Sequence, residues 1–262
     1  MKFARSIFFA LLLPAMAQAD WRNDLTPEKP GVFPALKPLQ ARYHLGWLGV
    51  TAGKACITFL KKDDDTVELN ATGNSTGMAR ALWKMDATHD ALAESHQLRP
   101  LSLEQTEVYS AKTIKTKARF SEREVWCLKT VQPPDKNPPK PKHFRLPEAF
   151  DLQSALLFAR SQPLKIGDTI SMIVFPFSSP YLATIKVLGK EDISVRAGKF
   201  HTIKCDLKLL SIDKKLELHP HKLFKHGTIW VSDDETRLPV KIQVDIFIGS
   251  VWAELDELKP SP

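Results

Sequence analysis

The chain is poor in the residues on which several common chemistries depend. Its three cysteines, Cys56, Cys127 and Cys205, form no C-x-x-C pair, so a redox or zinc site of that spacing has no support. Neither G-x-x-x-x-G-K-[ST] nor G-x-G-x-x-G occurs. No phosphate-cradling loop therefore points to a nucleotide, and no cofactor is expected. Beyond the N-terminus no apolar run approaches the roughly 20 residues that span a bilayer as a helix. Charge of one sign is also scarce. The net charge is +7, a mild excess compatible with anionic lipid or glycan and too weak to imply nucleic acid.

What is present begins with an export signal over residues 1–19. Lys2 and Arg5 precede a short apolar core, Ile7 to Leu13, which Pro14 breaks before Ala17-Gln18-Ala19. The small-x-small pattern predicts cleavage after Ala19 and a mature chain in the periplasm. Loss of Lys2 and Arg5 lowers the charge from +7 to +5. No cysteine stands at the cleavage point to accept a lipid. In an oxidising compartment three cysteines suggest one disulfide and one buried thiol, with the pairing open.

From Leu39 onward the dominant signal is alternation. In Thr113–Phe120, Ile114, Ala118 and Phe120 oppose Lys115, Lys117 and Arg119. Ile203, Cys205, Leu207 and Leu209 oppose Thr202, Lys204, Asp206 and Lys208, and Ile242 to Ile248 repeat the pattern. Period two with one polar face marks antiparallel strands over a core. Similar runs cover 41–48, 50–60, 67–72, 85–93, 101–109, 125–130, 169–175, 182–188 and 228–232. Charged clusters at 61–65 and 232–235 read as hairpin tips.

Short helices are expected at Met78–Lys84 and Asp151–Arg160. In the second, Asp151 is the N-cap and Leu152, Ala155, Leu156 and Ala159 form the apolar stripe. The proline- and lysine-rich segment 132–147 reads as an extended, exposed connection. The fold class is thus mainly β, a curved antiparallel sheet or open, barrel-like structure with one or two short helices. An extended segment, 20–38, precedes a single β domain, 39–258.

Three patterns suggest chemistry. Gly73-Asn74-Ser75-Thr76-Gly77 fits the nucleophile elbow G-x-S-x-G. That elbow needs a parallel strand feeding a long crossover helix, whereas this chain reads as hairpins, so Ser75 or Thr76 is expected to cap a turn. Glu217, His219, His221 and His226 could gather around zinc, but Pro220 breaks a strand there and the spacing fits no zinc pattern, so no metal site is expected. Asp86 and Asp90 share a strand face about 13 Å apart, too far to pair as glycosidase carboxylates. The remaining feature is aromatic. Tyr43, Trp47, Trp83, Phe175, Phe177, Tyr181 and Trp230 lie in or beside strands, and those outside the core are the candidate ligand-binding residues of a concave sheet.

Several stretches carry a family resemblance: "YHLGWLGVTAGKACITF" (43–59), "DLQSALLFARSQPLKIGDTI" (151–170), "VRAGKFHTIKC" (195–205) and "IWVSDDETRLPVKIQVDIFIGSVWAEL" (229–255). Together they resemble domain of unknown function 3108, a family of exported Gram-negative proteins. The resemblance implies a periplasmic, mostly antiparallel β protein and supplies no reaction or catalytic residue. Within those stretches, Gly198 suits a positive-φ hairpin position. Asp234 and Arg237 suggest a turn-closing ion pair, and Arg160 a cation at a helix C-terminus. The leading expectation is a non-enzymatic binder of an envelope lipid or glycan. The alternatives are a hydrolase of envelope glycan or ester, and an assembly partner acting through a sheet edge or the basic linker.

Overall fold

The computed structural model describes residues 20–27, 30–31, 37–62, 65–134 and 138–260. The expected export signal lies outside them. The alternating stretches form β1 (Leu39–Trp47), β2 (Val50–Lys61), β3 (Thr66–Ser75), β4 (Met85–Glu94), β5 (Pro100–Tyr109), β6 (Thr113–Phe120) and β7 (Glu124–Gln132). Short strands β8 (Lys142–Arg145) and β9 (Ala149–Phe150) follow. The second half contains β10 (Thr169–Val174), β11 (Tyr181–Val195), β12 (Gly198–Ile212), β13 (Leu218–Pro220), β14 (Phe224–Ser232), β15 (Pro239–Ile246) and β16 (Ser250–Pro260). The helices are α1 (Gly77–Leu82) and α2 (Leu152–Ser161), besides a 3-10 turn at Trp21–Asp24.

All the strands join one sheet. It runs from β8 back through β7 to β1, crosses to β16, and continues through β15, β14, β12, β11 and β10 to β9, with β13 beside β12. Neighbours are antiparallel except β9 and β10. The edge strands β8 and β9 are consecutive in the chain, separated by residues 146–148. The sheet is therefore rolled and barrel-like without closing its ladder.

Because the strands reverse in hairpins, their ends define two rims. Trp47 pairs with Val50 and Val251, Asn74 with Asp86, Val108 with Thr113 and Asp245 with Ser250, all at one rim. The turns after β2, β4, β6, β11 and β14 lie at the other.

The expected alternation sorts side chains into and out of the roll. Val67, Leu69, Ala91, Ala93, Leu103, Ala118, Phe120, Val125 and Cys127 join Leu39, Ala41, Tyr43, Val240 and Leu255 in one apolar cluster. A second cluster gathers Phe150, Phe158, Ile170, Met172, Val174, Val187, Ile203 and Val231. Helix α2 links the two, with Leu157 in the first and Phe158 in the second. Asp151 caps it as expected, accepting from the N–H groups of Gln153 and Ser154.

Several expectations need correction. The buried face of α2 is only partly the stripe of Leu152, Ala155, Leu156 and Ala159: Ala155 is buried, and Leu156 and Ala159 pack partly against the two clusters. Leu152 is half exposed, while polar Gln153, Ser154 and Arg160 are buried beside Leu157 and Phe158. Gln153 Nε2, Ser154 Oγ and Arg160 Nε and Nη2 have interior hydrogen-bond partners, which offset much of the cost of that burial, while Gln153 Oε1 and Arg160 Nη1 have none. No disulfide forms: all three cysteines are free, with Cys127 and Cys205 buried. Burial pushes the thiols of both upward, which keeps them protonated and unreactive. The segment 132–147 is not wholly exposed, because β8 pairs with β7 and Leu146 is buried. Pro220 ends β13 rather than preventing it, since a proline is tolerated at a strand end. The N-terminal segment is not simply extended: Trp21 Nε1 donates to Leu216 O, and Thr26 N to Ser171 O.

Candidate functional site

A groove of about 340 Å³ lies at the rim where β5 ends, lined by Glu107, Tyr109, Ile114, Lys129, Phe177, Ser178, Ser179 and Tyr181. Pairing places one wall: Glu107 faces Ile114 across β5–β6, and Thr116 faces Lys129 across β6–β7. The other wall is the β10–β11 connection, "FPFSSPY". Its first residue, Phe175, is fully buried and packs edge-on against Phe120 and Phe144 at 6.1 and 5.3 Å. Pro176 and Pro180 restrict φ on either side of the exposed tip, and Lys142 Nζ donates to Ser178 O at 3.3 Å. Phe177 and Tyr181 are thus presented by a stiff, anchored strap.

The groove combines aromatic faces with a few polar groups. Tyr109 donates its hydroxyl to Glu107 at 3.1 Å, and burial, then the Glu107 charge, raises its pKa. The rings of Trp83 and Tyr109 are 6.1 Å apart, which extends the aromatic surface outward from the groove. Behind Tyr181, at 5.1 Å, stands His221, whose pKa burial lowers. Lys129 is exposed and Ser178 and Ser179 are half-buried. Such a lining can stack against the apolar face of a ring while a carboxylate, an ammonium and hydroxyls meet its polar edge.

The structure brings Trp83, Phe177 and Tyr181 to this site and disperses the other sequence candidates. Tyr43 is buried, with its hydroxyl donating to Pro239 O at 2.9 Å. Phe175 anchors the strap from within the core. Trp47 lies on the β1–β2 turn and donates to Ile248 O. Trp230 donates to Glu191 and lies between Lys204 and Lys241. Sequence reasoning missed Glu107, Tyr109, Ile114 and Lys129. Their one readable signal was position at the β5–β6–β7 ends, and only the register shows which of them face the strap.

The other chemical candidates resolve into structural roles. Ser75 does not cap α1. Its hydroxyl accepts from Met85 N at 3.0 Å and clips β3 to β4, and the N-cap, Thr76, makes no side-chain cap bond. Asp86 is held by Arg80, which keeps its carboxyl low, and Asp90 accepts from Asn70. The histidines separate: His219 pairs with Asp213, His221 accepts from the N–H groups of Leu223 and Phe224, and His226 pairs with Asp206. Asp213, Glu217 and His219 do approach within 4.8 Å of one another. Asp213 already accepts from two backbone N–H groups there.

Asp234 and Arg237 form no side-chain ion pair of the expected kind. Asp234 accepts from the N–H groups of Thr236 and Arg237 and from the hydroxyls of Ser232 and Thr236. The Arg237 guanidinium donates to Gln162 O at the end of α2. Arg160 acts less as a dipole partner than as a buried clamp: it donates to Thr236 O and lies 5.3 Å from the centre of the Phe59 ring. Gly198 has φ +135, as its hairpin position suggested.

A second polar group lies inside the roll. His89 lies opposite Gln105 in the strand register, and Gln105 opposite Thr116, so three buried polar residues form a row across β4, β5 and β6. Helix α2 meets this row: Gln153 donates to His89 O at 3.2 Å, and His89 Nε2 is 3.8 Å from Asp151. The row fixes where α2 starts against the sheet.

These features define an open, barrel-like antiparallel β protein with an aromatic-walled groove at one rim. The chain belongs to the family described as protein of unknown function DUF3108, whose profile matches residues 42–256. The sequence resemblance is thereby borne out. The chain is similar in fold to a β-barrel-like protein of domain of unknown function DUF1849 from Brucella abortus. The TM-score is 0.55 at 11% identity, over 86% of this chain and 98% of that one. Weaker likenesses, both at TM-score 0.37, link it to a Bacteroides fragilis protein described as exported with a YmcC-like fold, and to a Parabacteroides distasonis protein described as a lipoprotein. Their identities are 8% and 9%, over 87% and 88% of this chain and 98% and 99% of theirs. No curated protein matches the chain. Among the described residues no helix is long and apolar enough to cross a membrane.

Proposed function

We propose that the protein is exported to the periplasm and acts there as a non-catalytic binding protein for an envelope glycan, held in the groove between the strap and the β5–β7 face. The observation that carries this reading is the groove's lining: Phe177, Tyr181 and Tyr109 around Glu107, Lys129 and two serines. A sugar ring presents an apolar face and a rim of hydroxyls, and this set is complementary to both. A hydrolase of the glycosidase type needs two facing carboxylates, whereas the groove offers one, Glu107. The leader-like residues 1–19 support export.

The test is calorimetric titration of envelope glycan fragments into wild type and into Phe177→Ala and Tyr181→Ala. Each variant should weaken binding about tenfold or more, because a stacking partner is lost. Unfolding should shift by less than about 1 kcal/mol, since Phe177 is half exposed and Tyr181 is partly so. Unchanged affinity in both variants, or binding of fatty acids in place of glycans, would remove the groove from this role.

A further inference from the structure

The rim that holds the groove also carries a concentration of exposed apolar side chains that the groove does not use. The β1–β2 turn presents Trp47, Leu48 and Val50, and the β15–β16 turn presents Phe247 and Ile248, with 45–73% of each surface open. These two tips form one unit. Leu48 N donates to Ser250 O at 3.2 Å, Trp47 Nε1 donates to Ile248 O at 3.0 Å, and Leu48 lies so close over Gly249 that an added Cβ would meet it at 2.1 Å. Next along the rim, Thr76 N donates to Ala52 O and sets α1 beside them. That helix has no buried residue and exposes Met78 and Leu82 almost completely.

Contiguous exposed apolar surface of this kind marks a contact site. Its shape narrows the partner. The side chains stand on protruding tips, and β1, β15 and β16 have both edges paired within the sheet, so no strand edge is free to accept another chain. Its charge narrows the partner further. Lys225 lies 5.3 Å from the centre of the Phe247 ring, and exposed Lys54, Lys84 and Lys222 stand on elements that reach this rim, outnumbering the half-exposed Asp245 at the β15–β16 tip. Aromatic and aliphatic tips with lysines beside them match the boundary of an anionic bilayer, where rings enter the headgroup layer and ammonium groups meet phosphates.

We propose that this rim seats on the surface of an anionic lipid bilayer, with the β1–β2 and β15–β16 tips entering the headgroup region. Docking in this way would hold the neighbouring groove open at the membrane face. It goes beyond glycan binding and stands on different residues, so either reading survives failure of the other.

The experiment is co-sedimentation of the full chain, recovered from a bacterial periplasm, with vesicles of phosphatidylglycerol and phosphatidylethanolamine, and with neutral phosphatidylcholine vesicles. Wild type should bind the anionic vesicles preferentially, and added salt should weaken binding. The double variant Leu48→Asp/Ile248→Asp should lower the bound fraction about tenfold, because charge at an insertion tip opposes entry. Thermal unfolding should be unchanged, since both side chains are exposed. Lys222→Glu/Lys225→Glu should weaken binding to anionic vesicles alone. Any leader that remained uncleaved would act equally in all variants. Equal sedimentation of wild type and the Asp variant would overturn the proposal, as would equal binding to neutral vesicles. So would lipid-free self-association that the Asp variant abolishes, which would assign the tips to a second copy.

Discussion

The two rims of the rolled sheet are made from the ends of the same strands, and they are finished in opposite ways. At one rim the turns commit their polar groups inward. Asp234 collects four hydrogen-bond donors, Arg160 and Arg237 tie that turn to α2, and Arg99 joins Glu94 and Glu122 across successive hairpins. At the other rim the turns face outward. Trp47, Leu48, Val50, Met78, Leu82, Phe247 and Ile248 are exposed, and the turns carry Arg80, Lys84, Lys112 and Lys222. An exposed apolar side chain adds little to folding, whereas a turn whose carbonyls meet buried guanidinium groups adds much. The contrast separates a rim that holds the sheet rolled from a rim free to serve contact.

The sharpest way to break this comparison is to remove the clamp. Arg160→Ala deletes the donors to Thr236 O, uncovers Phe59 and leaves a void between α2 and the sheet. Urea unfolding should register a loss of about 3 kcal/mol. Leu82→Ser on the contact rim removes an apolar side chain that is 87% exposed, and should stay within about 0.5 kcal/mol. Similar losses in the two variants would dissolve the distinction.

Asp234→Ala sharpens the comparison by pH. Burial works to raise this carboxyl's pKa, but hydrogen bonds from Thr236, Ser232 and the turn's backbone outweigh it, and the net shift is downward. A folded pKa below the unfolded value of about 3.9 makes the contribution complete above that value. It is lost as pH falls through the folded pKa. Asp234→Ala should therefore cost about 1 kcal/mol at neutral pH, because water screens part of the effect on this exposed carboxylate, and should flatten the acid limb of a stability-against-pH curve. A loss that is the same at every pH would place the effect in turn geometry instead of the carboxylate.

Much of this architecture was legible in the residues. Alternation located the long strands, because one face of each must be apolar to line the roll. The failures came where polar groups are buried or where pairing decides. Helix α2 was read with only part of its buried face, because Gln153, Ser154 and Arg160 look like surface residues while Ala155 alone of the expected stripe is fully buried. Their partners, His89 O, Asp151 and Thr236 O, are revealed by the fold. Strand β8 hid in a proline-rich run because only its ladder to β7 shows it. At the groove, the dense aromatics of "FPFSSPY" announced Phe177 and Tyr181. Glu107, Tyr109 and Lys129 were ordinary strand residues until the β5–β6–β7 register turned them toward the strap.

Ser75 marks a place on the contact rim that is fastened as the other rim is. It is buried, and its hydroxyl accepts from Met85 N at 3.0 Å, holding β4 to β3 beneath the exposed α1. Ser75→Ala should then cost about 1 kcal/mol, the worth of one hydrogen bond whose backbone donor is left at the strand start. Vesicle and glycan binding should persist in the folded fraction. A fluorophosphonate probe should leave wild type unlabelled, because a nucleophile's hydroxyl must be free for a base, whereas this one is engaged by backbone. Labelling that vanished in Ser75→Ala would reverse the assignment and turn a structural clip into a catalytic centre. A stability loss without labelling would leave the fastening of β3 to β4 as the reason for that serine.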